Sequence, residues 1–463
     1  MKRTLALALC LTMSTLLASC GQSAGTEAAK SAAESGGTAV ESSSDQSGKN
    51  NSTGKKKNKK KSQSEPEDFD ACNILQFEHN DIVESTLHDG KTKQEYSIAT
   101  TDWLITNNGE HSIDQCTVSY GILKKDGSYS EKQGSASLDF PLIPNIATEE
   151  RSTTSNVRDE IIPYSDVKDI EIQSYQYVLA GKEYTVDLQK KTATSKESKT
   201  WQPEDFNTVN ILGVTVGDIS FDEQSKQATV PFTFVNNGQD IVDEIHPYSY
   251  FTSKNDESVM TVHSLWYNFS MAPGKSLNHM EMNKQVDEEP FAIQYDDVKD
   301  FGMAGYRYSS GDRIYQVYLK DQTASSQKIR DVLPYDESKD ILKDILSITP
   351  TLKDDQLHIS ATINGNLNPA PKDDISLSIS LLDNEGNCFD DDYISLSLQK
   401  DGTYSTDPSD NLSYQDVHGK NFATCQLTYY EYNVADPSSD SNGCDVYTVY
   451  PESKRLVGIK YKR

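Results

Sequence analysis

The chain has 463 residues, of which 35% are hydrophobic and 25% are charged, and its formal net charge is −27. This length predicts about three domains, and the acidic balance excludes a protein that binds nucleic acid through a basic surface. No apolar run after the N-terminus approaches the roughly 18–20 residues of a membrane-spanning helix.

The N-terminus has the pattern of a bacterial lipoprotein signal. It begins with two basic residues, continues as a short apolar stretch, and ends in Leu17-Ala18-Ser19-Cys20. This ending resembles the lipobox, which implies that residues 1–20 are a signal peptide and that Cys20 is lipidated and becomes the mature N-terminus. Two acyl chains anchor a protein stably, at about 0.8 kcal/mol per buried CH₂. The sequence therefore predicts an extracellular protein held at the cell membrane by lipid on Cys20; the alternative is an ordinary cleaved signal.

Residues 21–66 are predicted to form a disordered tether rich in Lys, Ser and Gly, because they have too few large apolar side chains to offset the entropy of ordering. The tether contains a basic block made of Lys55, Lys56, Lys57, Lys59, Lys60 and Lys61. The block is predicted either to contact an anionic surface, at about 1 kcal/mol per lysine, or to act as a solvated spacer. Residues 1–20 carry a net +2 and residues 21–66 a net +3, which leaves −32 on residues 67–463.

A repeated pattern divides the acidic part into three segments. Tyr164–Asp169 matches Tyr295–Asp300, and a weaker third copy begins at Tyr414. The first match continues without a gap, so that Tyr175 and Tyr177 recur as Tyr306 and Tyr308, and this recurrence indicates fold positions and not ligand contacts. Each segment also has a predicted strand that ends in Asn-Gly, at Asn108-Gly109, Asn237-Gly238 and Asn364-Gly365. The predicted domains, here called the first, second and third repeats, are residues 69–196, 204–327 and 338–463.

Alternation of apolar and polar residues predicts β-strands in each repeat. Ile375–Leu381 alternates without a break, and aligned pairs share one face of a strand. These pairs are Trp103 and Ile105, Phe232 and Phe234, and Ile359 and Ala361. Turn sequences separate the strands at Asp126-Gly127, Ala272-Pro273-Gly274-Lys275, Asn384-Glu385-Gly386 and Asp401-Gly402. One or two helical turns are expected at Asp336–Leu346, and the predicted fold is all-β, with three tandem immunoglobulin-like β-sandwiches.

The order of these elements resembles the small immunoglobulin-like domains of FxLYC type found in lipoproteins of Gram-positive bacteria. The resemblance rests on the opening strand, the strand ending in Asn-Asn-Gly, the apolar strand running into Lys-Asp-Gly, and the Ala-Pro-Gly-Lys turn. It implies a secreted, all-β, non-catalytic protein. The third repeat lacks the Pro-Gly-Lys turn and has an insert at 436–443.

The sequence has no G-x-S-x-G, H-E-x-x-H, Walker A or dinucleotide-binding motif, so no catalytic residue, metal ligand or cofactor is predicted. The acidic cluster at 383–392 lacks the spacing and the final Glu of an EF-hand and is interpreted as a hairpin tip. Trp266 is the predicted binding residue, because it points outward if Leu265 and Phe269 face the core, and Trp is enriched on binding surfaces. An edge Trp without a ligand is the alternative.

Five cysteines remain after the signal sequence: Cys72, Cys116, Cys388, Cys425 and Cys444. Cys116 and Cys425 lie on predicted core faces, as inert buried thiols usually do. A disulfide between Cys72 and Cys116, or between Cys388 and Cys425, would suit an oxidising compartment, and the sequence leaves both open.

The function predicted from the sequence is binding or adhesion, by a non-catalytic protein that projects three β-sandwiches from the membrane toward a protein or an envelope polymer. Two alternatives remain. One is a structural spacer or envelope sensor without a ligand, and the other is an envelope enzyme or inhibitor whose site lies in loops without a recognisable motif.

Overall fold

The computed structural model describes residues 64–88, 93–138, 140–158, 160–260, 267–285, 293, 295–353, 356–399, 403–406, 421–435 and 444–461. Residues 64–463 form one compact unit. The predictions about Cys20, the lysine block, Trp266, Asp401-Gly402 and the copy at Tyr414 fall outside the described residues. Within them, every helix is too short to cross a bilayer. The protein is all-β, as the sequence predicts, with sheets packed as β-sandwiches.

The first repeat and the segment before it contain a one-turn helix, Phe69–Cys72, and two layers of strands. The first layer has the order β1-β12-β11-β10-β5-β6, and β4 in the second layer pairs with β2, β3 and β7. The strands are β1 (Glu65–Glu67), β2 (Leu75–His79), β3 (Val83–His88), β4 (Glu95–Asn107), β5 (Gln115–Lys124), β6 (Gly134–Ser137), β7 (Ala147–Thr154), β8 (Asn156–Val157), β9 (Glu160–Ile161), β10 (Val167–Leu179), β11 (Lys182–Asp187) and β12 (Thr192–Glu197).

The second repeat has the same plan, with a one-turn helix at Phe206–Val209. Its layers are β13-β23-β22-β21-β17-β18, with β19 also on β17, and β14-β16-β20, with β15 also on β16. The strands are β13 (Gln202–Pro203), β14 (Leu212–Val216), β15 (Ser220–Asp222), β16 (Gln227–Asn236), β17 (Val242–Ser253), β18 (Ser258–Met260), β19 (Tyr267–Met271), β20 (Ser276–Gln285), β21 (Val298–Ser310), β22 (Arg313–Tyr318) and β23 (Thr323–Lys328).

The third repeat continues the pattern with the layer β24-β32-β31-β30-β27-β28. β26 pairs with β25, and β29 pairs with both β26 and β28. The strands are β24 (Val332–Leu333), β25 (Leu346–Lys353), β26 (Gln356–Ile363), β27 (Ile375–Asp383), β28 (Cys388–Leu398), β29 (Tyr404–Thr406), β30 (Phe422–Ala435), β31 (Cys444–Tyr450) and β32 (Arg455–Tyr461).

The alternating faces predicted from the sequence form the core. All three aligned pairs, from Trp103 and Ile105 to Ile359 and Ala361, are at most 4% exposed and belong to three separate core clusters. Cys116 is buried in the same way, and Cys425 packs half-buried against the third cluster. β27 differs from the expected half-buried strand, since its outward-facing Ser378 and Ser380 are also buried. Ser380 belongs to the surface that meets the second repeat.

A capped turn held by two tyrosines recurs in each repeat. Asp68 accepts hydrogen bonds from Asp70 N and Ala71 N, and Tyr175 and Tyr177 donate to the carbonyl of Cys72. The second repeat uses Asp205 with Tyr306 and Tyr308, and the third uses Asp336 with Tyr430 and Tyr432. The recurring tyrosines are therefore fold positions, as their repetition in the sequence suggests. The helix expected at Asp336–Leu346 is only a 3₁₀ turn, Glu337–Lys339, followed by further turns.

All five described cysteines are free thiols. Cys388 and Cys425 lie on the two strands that flank β27, where they are opposite Leu382 and Leu381. Two strand spacings separate them by about 10 Å, beyond the ~7 Å limit between the Cα atoms of a disulfide. The structure therefore excludes the disulfide between Cys388 and Cys425, which the sequence leaves open. Cys72 and Cys116 are both in the first core and are not bonded to each other.

Candidate functional site at the junctions between repeats

Asn107, the buried first asparagine of the Asn-Asn-Gly motif, holds a turn at the place where the first repeat contacts the second. Asn107 Nδ2 donates to Leu142 O at 2.9 Å, and Asn107 O accepts from Asn145 N at 2.9 Å. The turn Ile143–Ile146 closes with a hydrogen bond from Ile146 N to Ile143 O. Pro144 and Asn145, whose φ is +56°, occupy the two positions that suit a type II turn. We call this the first exit turn.

The second repeat builds the same device from equivalent residues. Asn236 Nδ2 donates to Met271 O at 2.8 Å, and Gly274 N donates to Asn236 O. The second exit turn is Ala272–Lys275, which closes between Lys275 N and Ala272 O, and Gly274 has a φ of +75°. The predicted turn at Ala272-Pro273-Gly274-Lys275 is confirmed. Its counterpart at Ile143–Ile146 was not predicted.

The first exit turn inserts apolar side chains into the second repeat. Ile143 and Ile146 are fully buried in one cluster with residues of the second repeat, which are Tyr248, Met260, Ala304 and Tyr318. β7, which begins directly after the turn, pairs in parallel with β18 at Ala147 and Val259. Burying each isoleucine contributes about 1.5–3 kcal/mol, so this first junction is stabilised mainly by apolar contact.

The buried carboxyl group of Asp114 lies within the first junction. Asp114 is 7% exposed, and its Oδ1 accepts hydrogen bonds from the Tyr318 hydroxyl at 3.0 Å and from the Ser325 hydroxyl. Gln316 Nε2 donates to its backbone carbonyl at 3.2 Å. Burial raises the pKa of Asp114 to about 7, although the two hydroxyl groups oppose the rise. Asp114 therefore titrates near neutral pH.

The second exit turn makes polar contacts with the third repeat. Lys275 Nζ donates to the carbonyl of Glu385, and Ser276 N donates to Asn387 Oδ1 at 3.2 Å. β20 pairs in parallel with β28 at Leu277 and Cys388. The same element, a turn followed by the start of a strand, thus makes both junctions with different chemistry.

The second junction also buries an arginine against two carboxylates. Arg455, whose side chain is 3% exposed, has Nη1 at 3.6 Å from Asp243 Oδ2 and Nη2 at 3.3 Å from Glu244 Oε1. The guanidinium lies 3.7 Å from the centre of the Tyr450 ring, and the Tyr450 hydroxyl donates to Glu244. Ser270 donates to Asp243 at 2.6 Å. These residues form a charged network across the junction.

The pKa values of the two acids in this network are shifted in opposite directions. Burial raises the pKa of Asp243 more than Arg455 and Ser270 lower it. Burial also acts to raise the pKa of Glu244, but Arg455 and the hydroxyls of Tyr450 and Ser309 outweigh it, so the pKa of Glu244 is lowered. Arg455 therefore favours the ionised form of both acids, and burial outweighs this effect at Asp243 but not at Glu244.

A β-bulge places Glu244 in this position. Its φ is +55°, and the pairing of β17 with both β19 and β21 shifts register between Asp243 and Ile245. A bulge redirects a side chain at a local conformational cost. In the first repeat the equivalent Gln115 and Cys116 pair with Val178 and Tyr177 without a shift.

The residues at the two junctions occupy equivalent positions. Asp114 and Asp243 follow their Asn-Asn-Gly motifs at the same distance. Tyr318 pairs with Thr323 across β22 and β23, as Tyr450 pairs with Arg455 across β31 and β32. The first junction thus has Gln115 and Thr323 where the second has Glu244 and Arg455. At the second junction an acid lies on one side and an arginine on the other. At the first junction the two equivalent positions are both uncharged.

Two other concave places have less defined chemistry. A cavity of about 210 Å³ at the second junction is lined by residues that include Phe269, Met271, Leu382 and Cys388. Burial raises the pKa of the Cys388 thiol far above its usual value, so the thiol stays protonated. An open groove of about 590 Å³ on the first repeat contains His79, whose Nε2 lies 3.4 Å from Asp169.

The first part of the acidic cluster of the third repeat is a hairpin tip, as interpreted from the sequence, whereas Asp390, Asp391 and Asp392 lie in β28. Asp383 accepts from Glu385 N and Asn387 N, each at 2.9 Å, and from Asn387 Nδ2. Its oxygens therefore hold the turn. The sequence analysis missed Asp114, Asp243, Glu244 and Arg455, although an acid at the same place in two repeats was a visible signal. Nothing in the sequence pairs that acid with an arginine more than two hundred residues away.

No family model matches the sequence, and the comparison with curated proteins found no relative. Among solved structures, the comparison returned the native conformation of alpha-2-macroglobulin from E. coli, with 9% sequence identity. The alignment covers 84% of this chain and about a quarter, 25%, of the other. Its TM-score is 0.10, which is too low to support an argument about fold or function.

Proposed function

We propose that this protein is a lipid-anchored, non-catalytic extracellular protein that binds a protein or an envelope polymer through a connected array of immunoglobulin-like β-sandwich repeats. The observation that supports this most is the pair of buried junctions, at Ile143–Ile146 and Ala272–Lys275. Buried contacts between repeats hold a binding surface in a defined arrangement. A chain of independent beads would not need them.

The anchor is tested by the variant Cys20→Ser in the full chain. The wild-type protein is expected to incorporate labelled palmitate and to sediment with membranes. The variant should lose the label and leave the membrane fraction. A wild-type protein that is secreted without label would show that the signal is an ordinary cleaved one.

Binding is tested with residues 64–463, which form one compact unit. Immobilised protein is exposed to isolated cell envelope and to culture medium, and each captured component is titrated for saturable binding. We expect a component whose binding is lost in Trp266→Ala. The matched control is Phe221→Ala, since Phe221 is an aromatic residue of the second repeat that is 45% exposed. It should bind normally.

Absence of saturable binding at both low and physiological salt would contradict the binding role. The remaining interpretation would then be a structural spacer or an envelope sensor without a ligand. Equal loss in both variants would instead contradict the specific role of Trp266 while leaving the binding role supported.

A further inference from the structure

We propose that the junction between the first and second repeats is a proton-dependent joint, closed when the Asp114 carboxyl is protonated and loosened when it ionises. The carboxyl lies between β5 of one repeat and β22 and β23 of the next, at 7% exposure. Both side-chain contacts to it come across the junction. A change in its charge therefore acts on the contact between the repeats.

The charges around Asp114 favour its neutral form. The titratable and charged groups that face it across the junction are Tyr318, Tyr248 and Asp321. Asp321 is a second carboxylate, which accepts from Ser112 N at 2.6 Å. Within the described residues, no lysine or arginine forms an ion pair with Asp114.

The cations near this junction are directed elsewhere. Lys320 Nζ lies 5.7 Å from the centre of the Tyr250 ring, and burial lowers the pKa of Lys320. Burial has the larger effect on the pKa values of Tyr248 and His246, and the charge of Arg307 acts to lower both. Burial lowers the pKa of His246 to about 3, so this histidine is neutral at pH 5 and above.

The direction of the effect follows from linkage. The pKa of Asp114 is about 7 in the closed junction and about 3.9 once the carboxyl is hydrated. Stability from this group is complete below about pH 4 and is lost as the pH rises through 7, because opening then releases a proton. The opening equilibrium should increase by up to about tenfold per pH unit between pH 5 and 7 and level off above.

The buried carboxyl groups of the second junction have a different kind of partner from Asp114. Arg455 lies against both carboxylates there, and the pKa of Glu244 is lowered. A guanidinium compensates the ionised form, whereas the side-chain donors to the Asp114 carboxyl, within the described residues, are the hydroxyl groups of Tyr318 and Ser325. The proton-dependent joint is therefore assigned to the first junction. At the second junction the pKa of Asp243 is raised and that of Glu244 is lowered, so their contributions to the pH dependence oppose each other.

The test is hydrogen–deuterium exchange of residues 64–463 at several pH values from 5 to 8.5, corrected for the intrinsic exchange rate. Peptides covering Ser112 to Cys116 and Ile143 to Ala147 report the first junction. Peptides from β27 and β30 report global unfolding. We expect protection to fall between pH 5 and 7 at the first junction only, and we expect Asp114→Asn to remove this step.

A second variant separates titration from a purely structural role. Ser325→Ala removes a donor that lowers the pKa of Asp114, so the midpoint of the pH step should move upward while the step itself remains. A flat profile in the wild type would overturn the proposal. A step that persists in Asp114→Asn, or a midpoint that Ser325→Ala leaves unmoved, would also overturn it.

Discussion

The two junctions use one architecture for two kinds of contact. In both, a buried asparagine holds an exit turn, and a tyrosine of the next repeat donates a hydrogen bond to an acid that follows the Asn-Asn-Gly motif. The first junction is mainly apolar around the buried carboxyl of Asp114, with Ile143 and Ile146 at its centre. The second has Lys275 in the exit turn and Arg455 in a charged network.

The difference shows that the two members of a charged pair, one on each side of a junction, are either both present or both absent. A glutamate without Arg455 would be a buried unpaired charge, and an arginine without Glu244 and Asp243 would be another. Each costs several kcal/mol. At each junction, the face of the later repeat therefore fits the exit turn and the neighbouring acid of the repeat that precedes it. In the first repeat, the position equivalent to Tyr318 and Tyr450 is Asp187, which pairs with Thr192 and forms an ion pair with Lys190 at 2.8 Å.

The largest effect is expected for Arg455→Thr, which gives the second junction the residue found at the equivalent position in the first. Asp243 and Glu244 would remain buried without the guanidinium that lies against both of them, at a cost of about 3–5 kcal/mol. Urea denaturation followed by circular dichroism at pH 7.5 measures this loss.

The matched control for that change is Arg313→Thr. Arg313 pairs with Glu204 at 3.1 Å, with the two side chains 29% and 31% exposed, so about 1 kcal/mol or less is expected from the ion pair. Equal losses in the two variants would show that the network at the second junction has no special importance.

Ile146→Ala should break the apolar contact of the first junction. Ile146 is 0% exposed in a cluster shared by both repeats, and removing its side chain beyond Cβ costs about 2–5 kcal/mol. Denaturation should show the first repeat unfolding in a transition separate from that of the second and third repeats. A single transition with an unchanged midpoint would contradict the importance of this exit turn.

Removing the junction tyrosine hydroxyls should distinguish an ionised acceptor from a neutral one. Tyr450→Phe removes a hydrogen bond to a carboxylate and is expected to cost about 1.5–3 kcal/mol, whereas Tyr318→Phe at pH 5 should cost about 0.5–1.5 kcal/mol. The cost of Tyr318→Phe should rise at pH 8, where Asp114 ionises. Denaturation of both variants at the two pH values checks this, and a cost of Tyr318→Phe that is independent of pH would count against it.

The smallest effect is expected for Lys275→Ala. Its side chain is half-buried and donates to the carbonyl of Glu385, so the loss should be about 1 kcal/mol or less. A loss in unfolding free energy as large as that of Ile146→Ala would show that the two exit turns contribute equally, despite their different chemistry.

Much of the fold could be predicted because it depends on local patterns. Alternation identified the core pairs such as Trp103 and Ile105, and repetition in the sequence indicated that the recurring tyrosines are fold positions. The capped turn that they bind was not predicted. Whether Cys388 and Cys425 form a disulfide could not be decided from the sequence, because periodicity does not say how many strands lie between two residues. The burial of Ser378 and Ser380 was missed because a repeat was considered without its neighbour.

The sequence by itself determined the all-β fold, the turns and the tyrosine positions, since each follows from side-chain period or from backbone preferences over a few residues. The tertiary structure alone decided what the acids after the Asn-Asn-Gly motifs do. Asp114 meets Tyr318 and Ser325, while Glu244 meets Arg455 and Tyr450 only after a bulge has turned it. The physical reason is that burial and the nearest opposite charge set the state of a carboxyl group, and both come from residues far away in the chain.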